Sequence, residues 1–216
     1  MADGTSKRRL QLQRQLSDFA AANVFNPWAQ ANADDAAQNG PAARRRRLAQ
    51  HLAVDARLIL VGEASGYQGC RMTGIAFTSE RLVLAGSIPR VPAARLRLST
   101  RTLPWSEPSA TTVWSALHEL RVAEQTILCN AFPWHPHRPG EPLSNRTPLP
   151  RERAAGLAVL DRLLAGYAVA RVFAVGRQAE EALRELGRPA TLLRHPSMGG
   201  AALFRQQLAR ALQTRA

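Results

Sequence analysis

The stretch Leu58–Gly66, which reads LILVGEASG, runs four apolar residues into a short glycine-rich turn. A short apolar run that ends at a glycine is typical of a strand buried in a parallel sheet. Three further short apolar runs lie at Thr126–Asn130, Arg171–Val175 and Thr191–Leu193, and the second of these is also followed by a glycine. We predict strands over these three segments and over Leu58–Val61.

Segments with helical periodicity lie between and after these strands. We predict helices over Thr111–Leu120, Arg151–Ala165, Gln178–Leu186 and Ala201–Leu212. Strands that alternate with helices predict an α/β fold with a mainly parallel four-stranded sheet. Ligands of such sheets bind beyond the carboxyl ends of the strands, so the residues that follow each strand should meet in one crevice.

The composition excludes several classes of protein. Of the 216 residues, 45% are hydrophobic and 21% are charged, which is typical of a folded globular protein and excludes collagen-like and coiled-coil chains. The sequence has no run of 18 apolar residues, and its first residues lack the apolar core of a signal peptide. We therefore expect no contact with a membrane and a cytoplasmic location.

The charge balance points to a polyanionic partner. The chain has 29 basic and 16 acidic residues, for a net charge of +13, and nucleic acid is the first candidate. Only one of the basic residues, Lys7, is a lysine. Genome base composition can produce such a skew without selection for binding.

The sequence indicates no metal cofactor. Cys70 and Cys129 are far apart and form no CxxC motif, so neither a disulfide framework nor a four-cysteine site is expected. His135 and His137 are spaced like some zinc ligands. The prolines around His135 favour an irregular surface loop instead.

Residues 1–53 differ in pattern from the rest and are predicted to be a helical region that packs on or extends an α/β domain of residues 54–216. Apolar residues from Leu10 to Ala20 recur at helical spacing, and a second helical run covers Ala42–Leu52 behind a polar linker at Asn32–Gly40. The arginines of Arg44–Arg47 either track phosphates or form a solvated helix face.

The motifs at the predicted strand ends form a specific set in a specific order. These motifs are Gly62–Gly66, Thr73–Glu80, Asn130–Pro133, Gly176–Arg177 and His195–Gly200. Together they resemble the uracil-DNA glycosylase superfamily over about residues 57–212. The resemblance implies a three-layer α/β/α fold and an enzyme that flips uracil out of DNA and hydrolyses its N-glycosidic bond.

Within that superfamily the chain resembles the branches whose first motif begins Gly-Glu-Ala-Pro-Gly or Gly-Leu-Ala-Pro. Ser65 and Ala76 replace two prolines of these motifs, and Ala64 stands where the best-known branch has its catalytic aspartate. One related branch holds an iron–sulfur cluster with four cysteines. This chain has two cysteines, so the resemblance implies no such cluster.

Hydrolysis of a glycosidic bond to a pyrimidine needs a group that activates water and a donor that stabilises the anionic base. Glu63 and Glu80 are the candidate carboxylates, and either could instead cap a helix or anchor a loop. His195 is the candidate donor to the base O2. Phe77 is the candidate stacking ring, and the Asn130 amide can accept from uracil N3–H and donate to O4.

The resemblance also implies contacts that hold the base and the DNA. Gly62, Ala64 and Tyr67 border the base, with Tyr67 as a barrier to the methyl group of thymine. Contacts to DNA are expected from Ser65, Ser197, Met198, Gly199 and Arg146, with Met198 filling the space that the flipped base leaves.

The expected partner is DNA that contains a deaminated base, and we expect the chain to act as a monomer. Because no lysine lies near the motifs to form a Schiff base, the sequence predicts a glycosylase without a lyase step. Two alternatives stay open. One is excision of another lesion, such as hypoxanthine, xanthine or 5-hydroxymethyluracil. The other is a catalytically weak DNA-binding module.

Overall fold

A computed structural model describes residues 11–167 and 170–213 of the chain. The helices are residues 11–18 (α1), Pro41–His51 (α2), Cys70–Thr73 (α3), Glu80–Leu84 (α4), Pro108–Glu119 (α5), Pro150–Ala165 (α6), Arg177–Glu185 (α7) and Ala201–Gln213 (α8). The strands are Val24–Phe25 (β1), Leu58–Ala64 (β2), Thr126–Phe132 (β3), His135–Pro136 (β4), Arg171–Val175 (β5) and Thr191–Leu193 (β6). No helix within these residues is both long and apolar enough to traverse a bilayer.

Four strands form a parallel sheet in the order β3-β2-β5-β6. The predicted α/β fold is confirmed, and the four predicted strands coincide with these four. β2 and β3 continue two or three residues further than predicted, to Ala64 and Phe132. These extra residues matter because they carry the backbone of the first motif along the edge of the crevice.

The alternation of side chains along β2 separates the two helical layers. Ile59 and Val61 pack in one apolar cluster with residues of α1, α2, α6 and α7. Leu58 and Leu60 point to the opposite face and pack with residues of α4, α5 and α8. Because successive side chains of a strand face opposite sides of the sheet, both faces of the central strand are covered. This arrangement confirms the three-layer α/β/α architecture.

The N-terminal region packs on the core through aromatic side chains. Phe19 stacks on Trp134 with ring centroids 3.8 Å apart, and the Trp134 indole N–H donates to the Leu16 carbonyl over 2.8 Å. Leu12 and Leu16 belong to the same apolar cluster as the central strand. Residues 1–10, which include the Leu10 of the predicted helical pattern, lie outside the described residues, and so do residues 214–216 at the end of the predicted α/β domain.

The predicted polar linker at Asn32–Gly40 is a packed network, and it explains the buried arginine of α2. The Arg44 guanidinium is fully buried and pairs with Asp35 at 2.8 Å, and it also donates to the Asn39 carbonyl. A buried cation needs such partners, because an unpaired one would be very costly. Arg44 therefore neither tracks phosphates nor belongs to a solvated face.

His135 lies inside the protein and not in a surface loop. It is part of β4, and a nitrogen of its fully buried ring, Nε2, lies 2.8 Å from the Ser144 carbonyl oxygen. Burial lowers the pKa of this imidazole to about 4. Its role is to hold the loop that precedes α6.

Candidate active site

The carboxyl ends of the sheet strands open into a cleft of about 810 Å³. The turn after β2, the end of β3 and the loop after β6 all line it, together with Phe77 and the first turn of α5. The predicted convergence of the strand ends in one crevice is therefore confirmed for these three strands.

Phe77 and Asn130 meet directly above Gly62. A Cβ atom at Gly62 would lie 2.6 Å from both a terminal atom of the Asn130 amide and the Phe77 ring. Since real Cβ atoms do not approach so closely, only glycine leaves room for the ring and the amide at this point. Phe77 itself has a φ of 49°, a left-handed conformation that is uncommon for a bulky residue. The turn is thus shaped to present a flat ring beside an amide.

The Asn130 amide is almost fully buried and oriented by the turn after β2. In the orientation that satisfies both of its polar atoms, its N–H donates to the Cys129 carbonyl and its oxygen accepts from the Ser65 N–H, each over 3.3 Å. An amide has two N–H groups and two acceptor sites, so one of each remains for a ligand. The Ser65 hydroxyl donates to the Pro133 carbonyl inside the protein.

His195 has a defined tautomer. Its Nδ1 accepts from the Ser197 backbone N–H over 3.1 Å and lies 2.7 Å from the Ser197 hydroxyl oxygen. Burial, with a contribution from Arg194, lowers the pKa of the ring, so it is neutral near pH 7. A neutral imidazole whose Nδ1 accepts carries its proton on Nε2. His195 therefore offers an Nε2–H donor, and its ring centroid lies 6.1 Å from that of Phe77.

The loop after β6 carries Met198 at the mouth of the cleft. The Met198 side chain is 91% exposed, and both Met198 and Gly199 have positive φ angles, of 52° and 75°. Two consecutive left-handed residues bend the loop so that the apolar side chain projects outward. The Ser197 hydroxyl, which is bonded to His195, cannot donate to a phosphate at the same time.

Glu63 lines the cleft with a carboxylate that is only partly satisfied. Its Oε1 is buried and has no hydrogen-bond partner. Burial raises the pKa of the Glu63 carboxyl, and Thr147 and Arg153 offset only part of that effect. Glu63 also borders a second cavity of about 20 Å³, which residues of β3, α6 and α7 line as well. An acid in this state can take up a proton or orient a polar ligand.

The structure does not bring Glu80 to the cleft. Glu80 is fully buried, and it accepts hydrogen bonds from Arg97, from the backbone N–H groups of Leu98, Ser99 and Trp105, and from the Ser99 hydroxyl. Burial alone would raise the pKa of this carboxyl, but these bonds outweigh it and hold the pKa below its ordinary value. Glu80 anchors the loop of residues 97–105, the alternative left open by the sequence.

Two further predicted contact residues have other partners in the structure. The Tyr67 ring does not line the cleft but packs edge-on against Trp105, with centroids 5.6 Å apart. Arg146 does line the cleft, yet two of its nitrogens donate to Glu152 over 2.7 and 2.8 Å. Its guanidinium therefore fixes the start of α6. Ala64 borders the cleft beside Glu63, as expected.

Sequence reasoning missed six polar residues of the cleft, namely Gln68, Glu107, Ser109, Thr112, Asn145 and Thr147. Glu107 directly precedes α5, and burial raises the pKa of its carboxyl to about 7. The predicted helix began at Thr111, whereas α5 begins at Pro108. Proline is favoured in the first helical turn, so Pro108 was the signal that could have placed Glu107 at a helix start.

Comparisons with known proteins agree with this geometry. A family model described as the Uracil DNA glycosylase superfamily matches residues 49–213. A crystal structure of wild-type SMUG2 from Pedobacter heparinus is similar, with a TM-score of 0.65 and 14% sequence identity over 95% of this chain and 97% of that one. At this identity the likeness shows the fold. A search of curated proteins found no match.

Proposed function

The chain belongs to the uracil-DNA glycosylase superfamily and is a DNA glycosylase of base-excision repair, and from this premise we propose that its substrate is uracil in DNA. The observation that carries the proposal is the joint position of Asn130, Phe77 and His195 in one cleft. The three side chains supply an amide, a flat ring and a neutral imidazole donor.

Asn130 and Phe77 recognise the flipped base. The amide oxygen accepts from uracil N3–H and an amide N–H donates to O4, a pattern that cytosine inverts. A wrong base leaves the buried amide unpaired, which costs about 1 to 3 kcal/mol. The Phe77 ring stacks on the base. Such stacking contributes about 1 to 3 kcal/mol to the binding free energy, whichever base is stacked.

His195 and Glu63 serve the bond cleavage. As the bond between C1′ and N1 breaks, its electron pair moves to the base, and His195 Nε2–H donates to the O2 atom where negative charge accumulates. Loss of such a donor costs on the order of 100-fold in rate. Glu63 orients a water that adds to C1′ and takes up the proton that this water releases. Its buried, unpartnered oxygen supports this role.

Contacts to DNA come from the loop after β6 and from the charge of the chain. Met198 enters the stack that the flipped base leaves, and Gly199 lets the backbone approach a phosphate. The net charge of +13 favours binding to any DNA, independent of sequence. Ser65 and Arg146 are engaged inside the protein, so they support the site and not the DNA contact.

The proposed reaction stops at base removal. A lyase step needs an amine that forms a Schiff base with the sugar. The residues that line the cleft in the described part of the chain include no lysine. The product is therefore an intact strand with an abasic site.

The test is a single-turnover assay with labelled oligonucleotides that contain uracil, hypoxanthine, xanthine or cytosine at one position. We expect strand breaks at uracil only after alkali treatment, and none at cytosine. Breaks without alkali would contradict the absence of a lyase step. Excision of a purine lesion but not of uracil would overturn the proposed substrate. Retained DNA binding with no excision of any base would favour the binding-module alternative.

A further inference from the structure

One carboxyl of the cleft has no part in the proposed reaction. Glu107 lines the cleft from the residue before α5, and its side chain makes no hydrogen bond or ion pair within the described chain. Gln68, in the loop between β2 and α3, also lines the cleft, and its side chain makes no hydrogen bond within the described residues. Three of the other unpredicted polar residues are engaged, because Asn145 accepts from the Tyr67 N–H, Thr147 interacts with Glu63, and the Thr112 hydroxyl donates to the Pro108 carbonyl.

Glu107 packs against the turns that carry the base-binding groups. A Cβ atom at Gly69 would lie 1.8 Å from Glu107 Oε2, so the carboxyl occupies the place of a side chain at position 69. The carbonyl oxygen of Thr78, the residue after Phe77, lies 3.3 Å from the same point. The carboxyl is thus held between the loop after β2 and the turn that bears the stacking ring.

This part of the cleft wall lacks the aromatic side chain expected there. The Tyr67 ring turns away and packs on Trp105, and the wall is formed by Gln68, Cys70 and Glu107. Two of these three residues carry strong hydrogen-bonding groups. A polar wall accepts different substituents on the base than an aromatic ring would.

His195 and Asn130 contact only some edges of the base, and the one edge without an assigned partner is left to contact this wall of the cleft. In the proposed function, on which this inference rests, His195 meets O2, Asn130 meets N3–H and O4, and N1 carries the sugar. The edge from C5 to C6 then has no partner. Uracil presents only C–H groups there, and thymine presents a methyl group.

We propose that Glu107, together with Gln68, determines specificity at C5, so that the enzyme accepts a pyrimidine with a hydroxyl-bearing C5 substituent and rejects the methyl group of thymine. A hydroxymethyl group hydrogen-bonds the carboxyl, whereas a methyl group would desolvate it without replacing its lost water contacts. Near pH 7 burial leaves Glu107 partly protonated, and both of its forms accept from a hydroxyl.

The experiment measures single-turnover excision from oligonucleotides that carry uracil, 5-hydroxymethyluracil or thymine at one position. The first variant is Glu107→Leu, which replaces the carboxyl with an apolar side chain of similar size. The second is Glu107→Ala, which allows the same comparison if the Leu variant fails to fold. Glu107→Gln retains an acceptor. The matched control is Glu119→Gln at the other end of α5, where Glu119 pairs with Arg205 on the surface.

The wild type is expected to excise 5-hydroxymethyluracil and not thymine. In Glu107→Leu and Glu107→Ala the ratio of 5-hydroxymethyluracil to uracil excision should fall about 10-fold, with uracil excision itself within about 3-fold of wild type. Glu107→Gln and Glu119→Gln should keep the wild-type ratio.

Two results would overturn this inference while leaving the proposed function in place. One is a wild type that excises uracil but not 5-hydroxymethyluracil. The other is an equal change, or no change, in both rates when Glu107 becomes Leu or Ala. Failure of the wild type on both bases would instead count against the proposed function itself.

Discussion

Glu63 at the end of β2 and Glu80 at the start of α4 are two acids that belong to neighbouring motifs and yet have opposite surroundings. Glu80 is fully buried, and its two carboxylate oxygens accept five hydrogen bonds. Glu63 borders an open cleft and keeps one buried oxygen without a partner. The pKa of the first is held below its ordinary value, and the pKa of the second is raised.

The difference separates an acid that builds the fold from one that is available for chemistry. A carboxylate whose lone pairs are all engaged stabilises its charged form and has no capacity left for a proton or a water. A carboxylate with an unused oxygen in a desolvated place takes up a proton more readily. The following experiments compare side chains that are buried and hydrogen-bonded within the fold with side chains that are available in the cleft.

The largest expected effect is on catalysis at Glu63. Glu63→Gln should lower single-turnover excision of uracil by about 100-fold to 10,000-fold, because the amide cannot accept the proton from water. Glu80→Gln, measured in parallel as the matched control, should change the rate of the folded protein by less than about 3-fold. Equal small losses in both variants would remove Glu63 from the chemistry.

The next effect is on stability at Glu80. Glu80→Ala should lower the free energy of unfolding by about 3 kcal/mol or more, since several buried backbone N–H groups lose their acceptor. Urea denaturation at pH 7 measures this change, and Glu63→Gln is the comparison that should leave the unfolding midpoint nearly unchanged. A stable Glu80→Ala protein with lost excision would place Glu80 in the reaction after all.

The same contrast extends to the imidazoles and predicts a pH dependence. His51 is fully buried, its Nε2 accepts from the Leu128 N–H over 2.9 Å, and burial lowers the pKa to about 3. The unfolded chain binds a proton near pH 6.5 and the folded one does not. Stability is therefore complete above pH 6.5 and falls as the pH drops toward 3, by up to about 1.4 kcal/mol per pH unit for this group.

Unfolding by urea at several pH values between 7 and 4 measures that slope. In His51→Gln, where an amide oxygen can accept from Leu128, the slope should become shallower. Part of the slope should remain in this variant, because His135 also has a pKa that is lowered in the folded protein, to about 4. An unchanged slope in the variant would mean that His51 does not titrate on unfolding.

The smallest expected effect is at the mouth of the cleft. Met198→Ala should weaken uracil excision from duplex DNA by up to about 10-fold, because less apolar surface enters the vacated stack. Its melting temperature should stay that of the wild type, since the side chain is 91% exposed. Leu96→Ala, at another exposed apolar position outside the cleft, is the control. Equal effects of both substitutions would argue against a wedge.

Much of the fold was predictable because it depends on local patterns. The four strands and four of the helices follow from apolar runs and helical periodicity, and the strand ends converge as parallel sheets require. The errors lie where residues distant in sequence decide the outcome. Arg44 is buried because Asp35 and the Asn39 carbonyl surround it, and no pattern within α2 indicates that.

The sequence by itself determined the sheet, the place of the cleft and the presence of Asn130, Phe77 and His195 around it. The sheet, the cleft, Asn130 and His195 follow from strand periodicity and from the positions of the strand ends, and Phe77 follows from the motif Thr73–Glu80 that resembles the glycosylase superfamily. Only the tertiary structure decided which of two acids is free and which unpredicted acid joins the cleft. The partners of Glu80 come from residues 97–105, and Glu107 reaches the cleft across Gly69. Whether a carboxylate is saturated depends on donors that only folding brings within 3 Å or so, and such donors leave no trace in local spacing.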